Sequence, residues 1–209
     1  MISACIIQAR MTSRRFPGKT MALLRGVPIL EHVLVRAKGI PGIDKIVVAF
    51  PEDDASIPIL NLCREARVIA FAGDEDDVLG RYYDAAKHVD ADIIMRITAD
   101  CPLIFPPVCA KTLDLLKEEN LDYASNVYPE RTFPKGYDCE VFTFDCLEVA
   151  NLHAEDAYDR EHVTPWMQKH PSIKRGMIRN KTDDSCYNYC VDYPEDINRL
   201  EDMIKASNV

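Results

Sequence analysis

Short β-like runs alternate with stretches of helical periodicity along almost the whole chain, and that alternation is what most narrows the fold. Residues 2–7 are an apolar run of strand length. Residues 28–39 follow with apolar side chains at 29, 30, 33, 34 and 37, one stripe of a helix, with Pro28 suited to its first turn and Gly39 to its end. The same reading predicts strands at 45–50, 67–71, 92–98, 140–144, 174–179 and 187–191. It predicts helices at 56–66, 76–89, 108–119, 145–153, 159–169 and 194–205, with a break near Thr164 ahead of Pro165. Such alternation builds a layered α/β domain. Residues 122–139 lose the pattern: Tyr, Pro, Gly and charged residues interleave without a period, as in a substrate-facing excursion. With no repeat or linker in 209 residues, one domain spanning 1–209 is expected.

The totals exclude several classes. A net charge of -9 argues against a nucleic-acid partner, which needs a basic face. No apolar stretch approaches the roughly 20 residues of a membrane span, and the N-terminus lacks a signal-peptide pattern, so a cytoplasmic protein with no membrane partner is expected. Of the eight cysteines, Cys5, Cys63 and Cys146 sit in apolar runs, as buried free thiols do. No CxxC occurs, and Cys186 and Cys190 flank a strand-like Tyr187-Asn188-Tyr189, so a zinc or redox protein built on cysteines lacks its spacing.

Against this acidic background, the loop after the first strand concentrates positive charge. Gln8-Ala9-Arg10-Met11-Thr12-Ser13-Arg14-Arg15-Phe16-Pro17-Gly18-Lys19 carries four cations at the carboxyl end of a strand, where α/β sheets bind ligands. Arg forks match phosphate oxygens, Lys supplies a point charge, and Gly18 lets the backbone come close, so the loop suits a polyphosphate. An exposed loop lysine such as Lys19 should contribute little to stability. Asp100 and Asp192 each follow a predicted strand; together they suit Mg2+ against phosphate oxygens, while each alone also suits a helix cap.

The basic loop resembles the signature loop of the cytidylyltransferases that activate acidic sugars, the CMP-Kdo and CMP-acylneuraminate synthetases among them. Three blocks resemble more closely the spore-coat polysaccharide biosynthesis protein F-like branch: residues 76–83 (DDVLGRYY), 96–104 (RITADCPLI) and 160–165 (REHVTP); residues 191–196 (VDYPED) also fit. The resemblance runs over nearly the whole chain. It implies a three-layer α/β/α, Rossmann-like, glycosyltransferase-A-type fold with a mostly parallel mixed sheet. It further implies a Mg2+-dependent enzyme that transfers CMP from CTP to a sugar, releases pyrophosphate, and is usually a homodimer. Gln8, Ala9, Arg10, Arg14, Arg15, Gly18, Lys19, Arg96 and Asp100 would meet the nucleotide, with Arg10, Lys19 and Asp100 catalytic and Asp100 and Asp192 carrying Mg2+. One position departs: the family usually has Gly where this chain has Ala99, whose methyl crowds a nucleotide or demands negative φ.

The acceptor side is read from residues alone. Lys135 and Asp138 sit in the irregular excursion, where a sugar hydroxyl or carboxylate is one partner and an ordinary Pro-Lys-Gly turn the other reading. Arg160 and Glu161 open a helix and would reach the acceptor or a second subunit, with His162 equally a packing residue. Arg96 either touches the nucleotide or pairs with a carboxylate. An enzyme using another nucleotide, and a nucleotide- or sugar-binding protein without turnover, stand as competing readings.

Overall fold

A computed structural model describes residues 1–206. Its central sheet has seven strands in the order β5-β4-β1-β6-β8-β7-β9. They are β1 (Ser3–Gln8), β4 (Lys45–Pro51), β5 (Ile69–Gly73), β6 (Ile93–Thr98), β7 (Tyr123–Ser125), β8 (Glu140–Thr143) and β9 (Arg175–Met177). The strands β5, β4, β1 and β6 run parallel; β8 is antiparallel to both β6 and β7, and β9 is parallel to β7. A two-stranded hairpin, β2 (Leu23–Leu24) and β3 (Val27–Pro28), closes the basic loop.

The side-chain alternation of the strands fills two layers. Cys5, Ile7, Val48, Met95 and Ile97 face α1 (Ile29–Lys38), α2 (Ile57–Ala66) and α4 (Pro106–Glu118), burying Leu30, Val33, Leu34, Ile59 and Leu113. Ala4, Ile6, Val47, Ile94 and Phe142 face α3 (Val78–His88) and α5 (Phe144–His153), burying Leu79, Tyr82 and Leu147. A helix on each face of a mostly parallel sheet is the three-layer α/β/α arrangement the sequence leads one to expect. The last helix, α8 (Glu195–Ala206), packs Leu200 against Leu24, Ile29 and Val191.

The predicted helix at 159–169 is two helices, α6 (Ala157–His162) and α7 (Pro165–Lys169). The break is a γ-turn at Val163, with φ 71° and the Thr164 N–H donating to the His162 carbonyl at 2.8 Å. A β-branched residue at positive φ costs about 1–3 kcal/mol, which the complete burial of Val163 helps to offset. Residues 187–191 do not form a strand. Only Asn188 makes a bridge, to Lys135, and three carbonyls of the segment are taken by side chains: Arg199 donates to those of Asn188 and Cys190, and Lys19 to that of Val191. Within the excursion at 122–139 the structure adds β7.

Candidate active site

The chain lays down β1, then β4 and β5 to one side, then returns to place β6 on the other side of β1. The crevice where strand order reverses therefore opens between the carboxyl ends of β1 and β6, the place where open α/β sheets bind ligands. Gln8 and Thr98 are register partners at that edge. A cleft of about 750 Å³ stands above them, lined from β1 and its loop by Gln8, Ala9, Arg10, Arg14, Arg15 and Lys19, and from beyond β6 by Ala99 and Asp100.

The loop folds back on itself because the Gly18 N–H donates to the Met11 carbonyl at 2.9 Å and Gly18 sits at φ 73°. A methyl group on Gly18 would meet only Met11 Cε at 3.7 Å, so the position needs glycine for its left-handed backbone rather than for close approach. The turn delivers Lys19 inward. Its Nζ donates to Asp100 Oδ2 at 2.6 Å and to the Val191 carbonyl at 3.0 Å, and lies 3.6 Å from Asp192 Oδ1. Lys19 is 9% exposed, which overturns its expected place as a solvated loop residue. Both predicted carboxylates thus reach one ammonium.

Asp192 gathers more cations: Arg15 Nη2 donates to its Oδ1 at 2.6 Å and Lys135 Nζ to its Oδ2 at 2.8 Å. Its side chain caps nothing; the backbone N–H groups of Asp192 and Tyr193 are taken by Asp196. Burial pushes the Asp100 carboxyl up, but the charge and hydrogen bond of Lys19 more than reverse this, holding it below the usual carboxylate range. The Asp192 hydrogen bond likewise raises Lys135.

These contacts sort the four loop cations. Arg15 and Lys19 are neutralised by carboxylates, whereas the side chains of Arg10 and Arg14 line the cleft with no hydrogen bond or ion pair among the described residues. Two free guanidinium forks in a polar crevice are donors waiting for an anion. Ala99 is 3% exposed, packs into the core and lies outside the positive-φ residues, so its methyl brings no backbone strain.

The other expected residues are dispersed. Arg96 Nη1 donates to Glu140 Oε2 at 2.6 Å, choosing the carboxylate partner between its two readings. Asp138 is closed by a two-pronged pair with Arg131 at 2.6 and 2.7 Å. Arg160 spends all three guanidinium nitrogens on Asp77, Asn151 and Ala154, tying α6 to the residue that caps α3, and it does not line the cleft. Glu161 does line it. Glu75 and Asp76 also line the cleft, with Glu75 Oε1 accepting from the Thr12 hydroxyl at 2.7 Å. Sequence reasoning placed residues 76–89 on a helix and passed over the position of Glu75 and Asp76 just beyond the carboxyl end of β5, the signal that marks a cleft residue in a parallel sheet. Seven of the eight cysteines are buried and all are free; burial pushes the Cys63 thiol up to about 11 and Cys146 to about 12, away from reactivity at neutral pH.

Known proteins resemble this chain in sequence and in fold. An uncharacterized protein of Methanocaldococcus jannaschii is 39% identical over 168 residues, 80% of this chain and 68% of that protein. The spore coat polysaccharide biosynthesis protein SpsF of Bacillus subtilis is 29% identical over 176 residues, 81% of this chain and 71% of its own length. A cytidylyltransferase structure from Leptospira borgpetersenii superposes with a TM-score of 0.94 at 32% identity, covering 99% of this chain and 87% of that one. The sequence pattern of the family described as Cytidylyltransferase matches residues 4–207, and with the cation-lined crevice at the β1/β6 switch point the conclusion is that this chain belongs to the cytidylyltransferase family.

Proposed function

We propose that this enzyme transfers CMP from CTP to a hydroxyl of an acidic sugar, releases pyrophosphate, uses Mg2+ held by Asp100 and Asp192, and supplies surface polysaccharide or glycoconjugate assembly. The observation that carries the reading is the sorting of cations: Arg10 and Arg14 are free in the cleft while Lys19 and Arg15 organise two carboxylates beside them. The acceptor oxygen forms a bond to the α-phosphorus as the bond from that phosphorus to the pyrophosphate oxygen breaks. No covalent bond to the protein is needed, so this chain's work is alignment and neutralisation of phosphate charge. Arg10 and Arg14 bind phosphate oxygens through forked N–H donors. Lys19 holds Asp100 and Asp192 together.

The donor set suits Mg2+: two carboxylates converge on one ammonium, and this ion takes one or two carboxylates with water and substrate phosphates completing its shell. Bound there, it would neutralise charge on the phosphate oxygens. An acidic acceptor would find a cation in Lys135, whose side chain is 45% exposed beside Asp192. The reading carries with it a homodimer in the cytoplasm; among the described residues no helix is long and apolar enough to cross a membrane.

The test is a thermal-shift panel of CTP, UTP, GTP, ATP and dTTP with and without Mg2+, followed by pyrophosphate release with eight- and nine-carbon keto sugar acids and with hexose 1-phosphates. A ligand that binds only the native state raises the melting temperature by mass action. A Mg2+-dependent shift with CTP alone and turnover with a sugar acid is the expected result. Turnover only with a hexose 1-phosphate would overturn the acidic acceptor; a shift without turnover on any acceptor would favour a binding protein.

A further inference from the structure

A buried polar chain starts at the cleft and runs away from it. Gln8 lines the cleft at the end of β1. Its Oε1 accepts from Arg96 Nη2 at 3.4 Å, and Arg96 Nη1 donates to Glu140 Oε2 at 2.6 Å from the directly opposite position on β8. Glu140 Oε1 in turn accepts from Tyr123 Oη and from Gln168 Nε2 at 3.0 Å. The Arg96 side chain is 17% exposed and that of Glu140 5%, so the pair carries a desolvation cost that an apolar pair of similar volume would avoid. Arg96 Nε is buried without a partner, a further cost.

We infer that Arg96 is a positioning residue for nucleotide binding, acting through Gln8 by fixing which end of its amide faces the cleft. A guanidinium has donors only, so the group of Gln8 turned toward it must be the carbonyl oxygen. Both N–H donors are then on the other end, and Nε2 has no hydrogen-bond partner among the described residues. The two ends of a primary amide are nearly equal in shape, so without Arg96 the group would turn freely and offer an acceptor half the time. An oxygen-rich anionic ligand needs a donor there. Glu140, held by Tyr123 and Gln168, keeps Arg96 in place. The inference rests on the nucleotide reading proposed above and extends it to a residue that does not line the cleft.

The test is a double-mutant cycle on CTP binding with Mg2+, read by titration calorimetry, so that no acceptor sugar is needed. Gln8→Ala is expected to weaken CTP binding about tenfold, the worth of one hydrogen bond to a charged partner. Arg96→Lys keeps the charge beside Glu140 but loses the fork that reaches Gln8; it should weaken binding about twofold, because the donor orientation of Gln8 is then only half populated, at nearly unchanged melting temperature. The double variant should bind no more weakly than Gln8→Ala alone, because the second change removes a group that acts through the first. Additive losses, or full affinity in Arg96→Lys, would overturn the inference while leaving the nucleotide reading intact. No CTP binding by the unaltered protein would overturn both. If Arg96→Lys does not fold, Arg96→Met with Glu140→Leu replaces the ion pair by apolar groups of similar volume. In that background, adding Gln8→Ala must leave a protein that binds CTP no more weakly than Gln8→Ala alone.

Discussion

The two halves of the molecule hold their functional side chains by different means. Up to α4 the chain repeats strand, turn and helix, and its contribution to the site, Gln8 to Lys19 and Ala99-Asp100, comes from loops sprung directly off the carboxyl ends of parallel strands. Beyond α4 the strands are short and mixed, and the loops are tied by side chains: Arg131 to Asp138, Lys135 to Asp192, Arg199 to two carbonyls. The first half is positioned by regular backbone, the second by ion pairs and loop-to-loop contacts. On the proposed reading, the nucleotide side is held by regular backbone and the acceptor side by a few bonds, each of which single substitutions can cut.

Lys19 is where the halves meet, because its ammonium touches Asp100 from one and Val191 and Asp192 from the other. Lys19→Ala should therefore have the largest effect. Turnover, read as pyrophosphate release with the accepted sugar, should fall about 100-fold or more, as for loss of a preorganised charge-stabilising donor. Stability should also fall, by about 2–3 kcal/mol in denaturant unfolding. This is below the roughly 3–5 kcal/mol of breaking a fully buried pair, because the Asp100 side chain keeps 27% exposure. Loss of turnover at unchanged stability would mean that the two halves are joined by other contacts.

Two glycines sharpen the contrast. Gly18 and Gly136 both adopt positive φ, 73° and 102°. A methyl group on Gly18 finds ordinary space, so Gly18→Ala should cost about 1 kcal/mol of backbone strain. On Gly136 the same methyl would stand 2.8 Å from the Tyr189 carbonyl carbon and 3.1 Å from the Cys190 nitrogen. Gly136→Ala must push apart the loops whose contact brings Lys135 to Asp192, at about 2–3 kcal/mol. Thermal unfolding of the two variants side by side measures the difference; equal losses would show that the acceptor-side loops yield as easily as the phosphate loop.

The same division explains what was legible in the sequence. In the first half, period and pattern are local: the stripe at 29, 30, 33, 34 and 37 is α1, and the apolar run at the start is β1. The phosphate loop and Asp100 could be placed because a strand end is visible from its own residues. β7 is three residues long and is defined by partners on β8 and β9, so no local period announces it. Residues 187–191 read as a strand because Tyr and Val favour one, yet Arg199 takes the carbonyls a neighbouring strand would need. The pairing of Lys135 with Asp192, 57 positions apart, and the enclosure of Arg160 by Asp77, 83 positions apart, are tertiary facts. Sequence could name those residues and could not say which of them face a ligand.

The smallest expected effect is the dependence of stability on acid, and it too separates the halves. Asp77, Asp100 and Asp196 are all held below the usual carboxylate range; in each, burial acts upward and is outweighed, by Arg160 and the Gly80 N–H, by Lys19, and by Arg199 with backbone N–H groups respectively. A carboxyl with a depressed native pKa adds stability that is fully present above its unfolded pKa, about 4, and is lost as pH falls through the lower native value. Denaturant unfolding should therefore give a plateau above about pH 5 and a decline below pH 4. Asp100→Asn removes the contribution that ties the halves, so its decline should be shallower than that of the unaltered protein, while Asp196→Asn should flatten the curve only through α8. If Asp100→Asn leaves the acid slope unchanged, the Lys19–Asp100 pair contributes nothing to folding, and its tight geometry serves the nucleotide site alone.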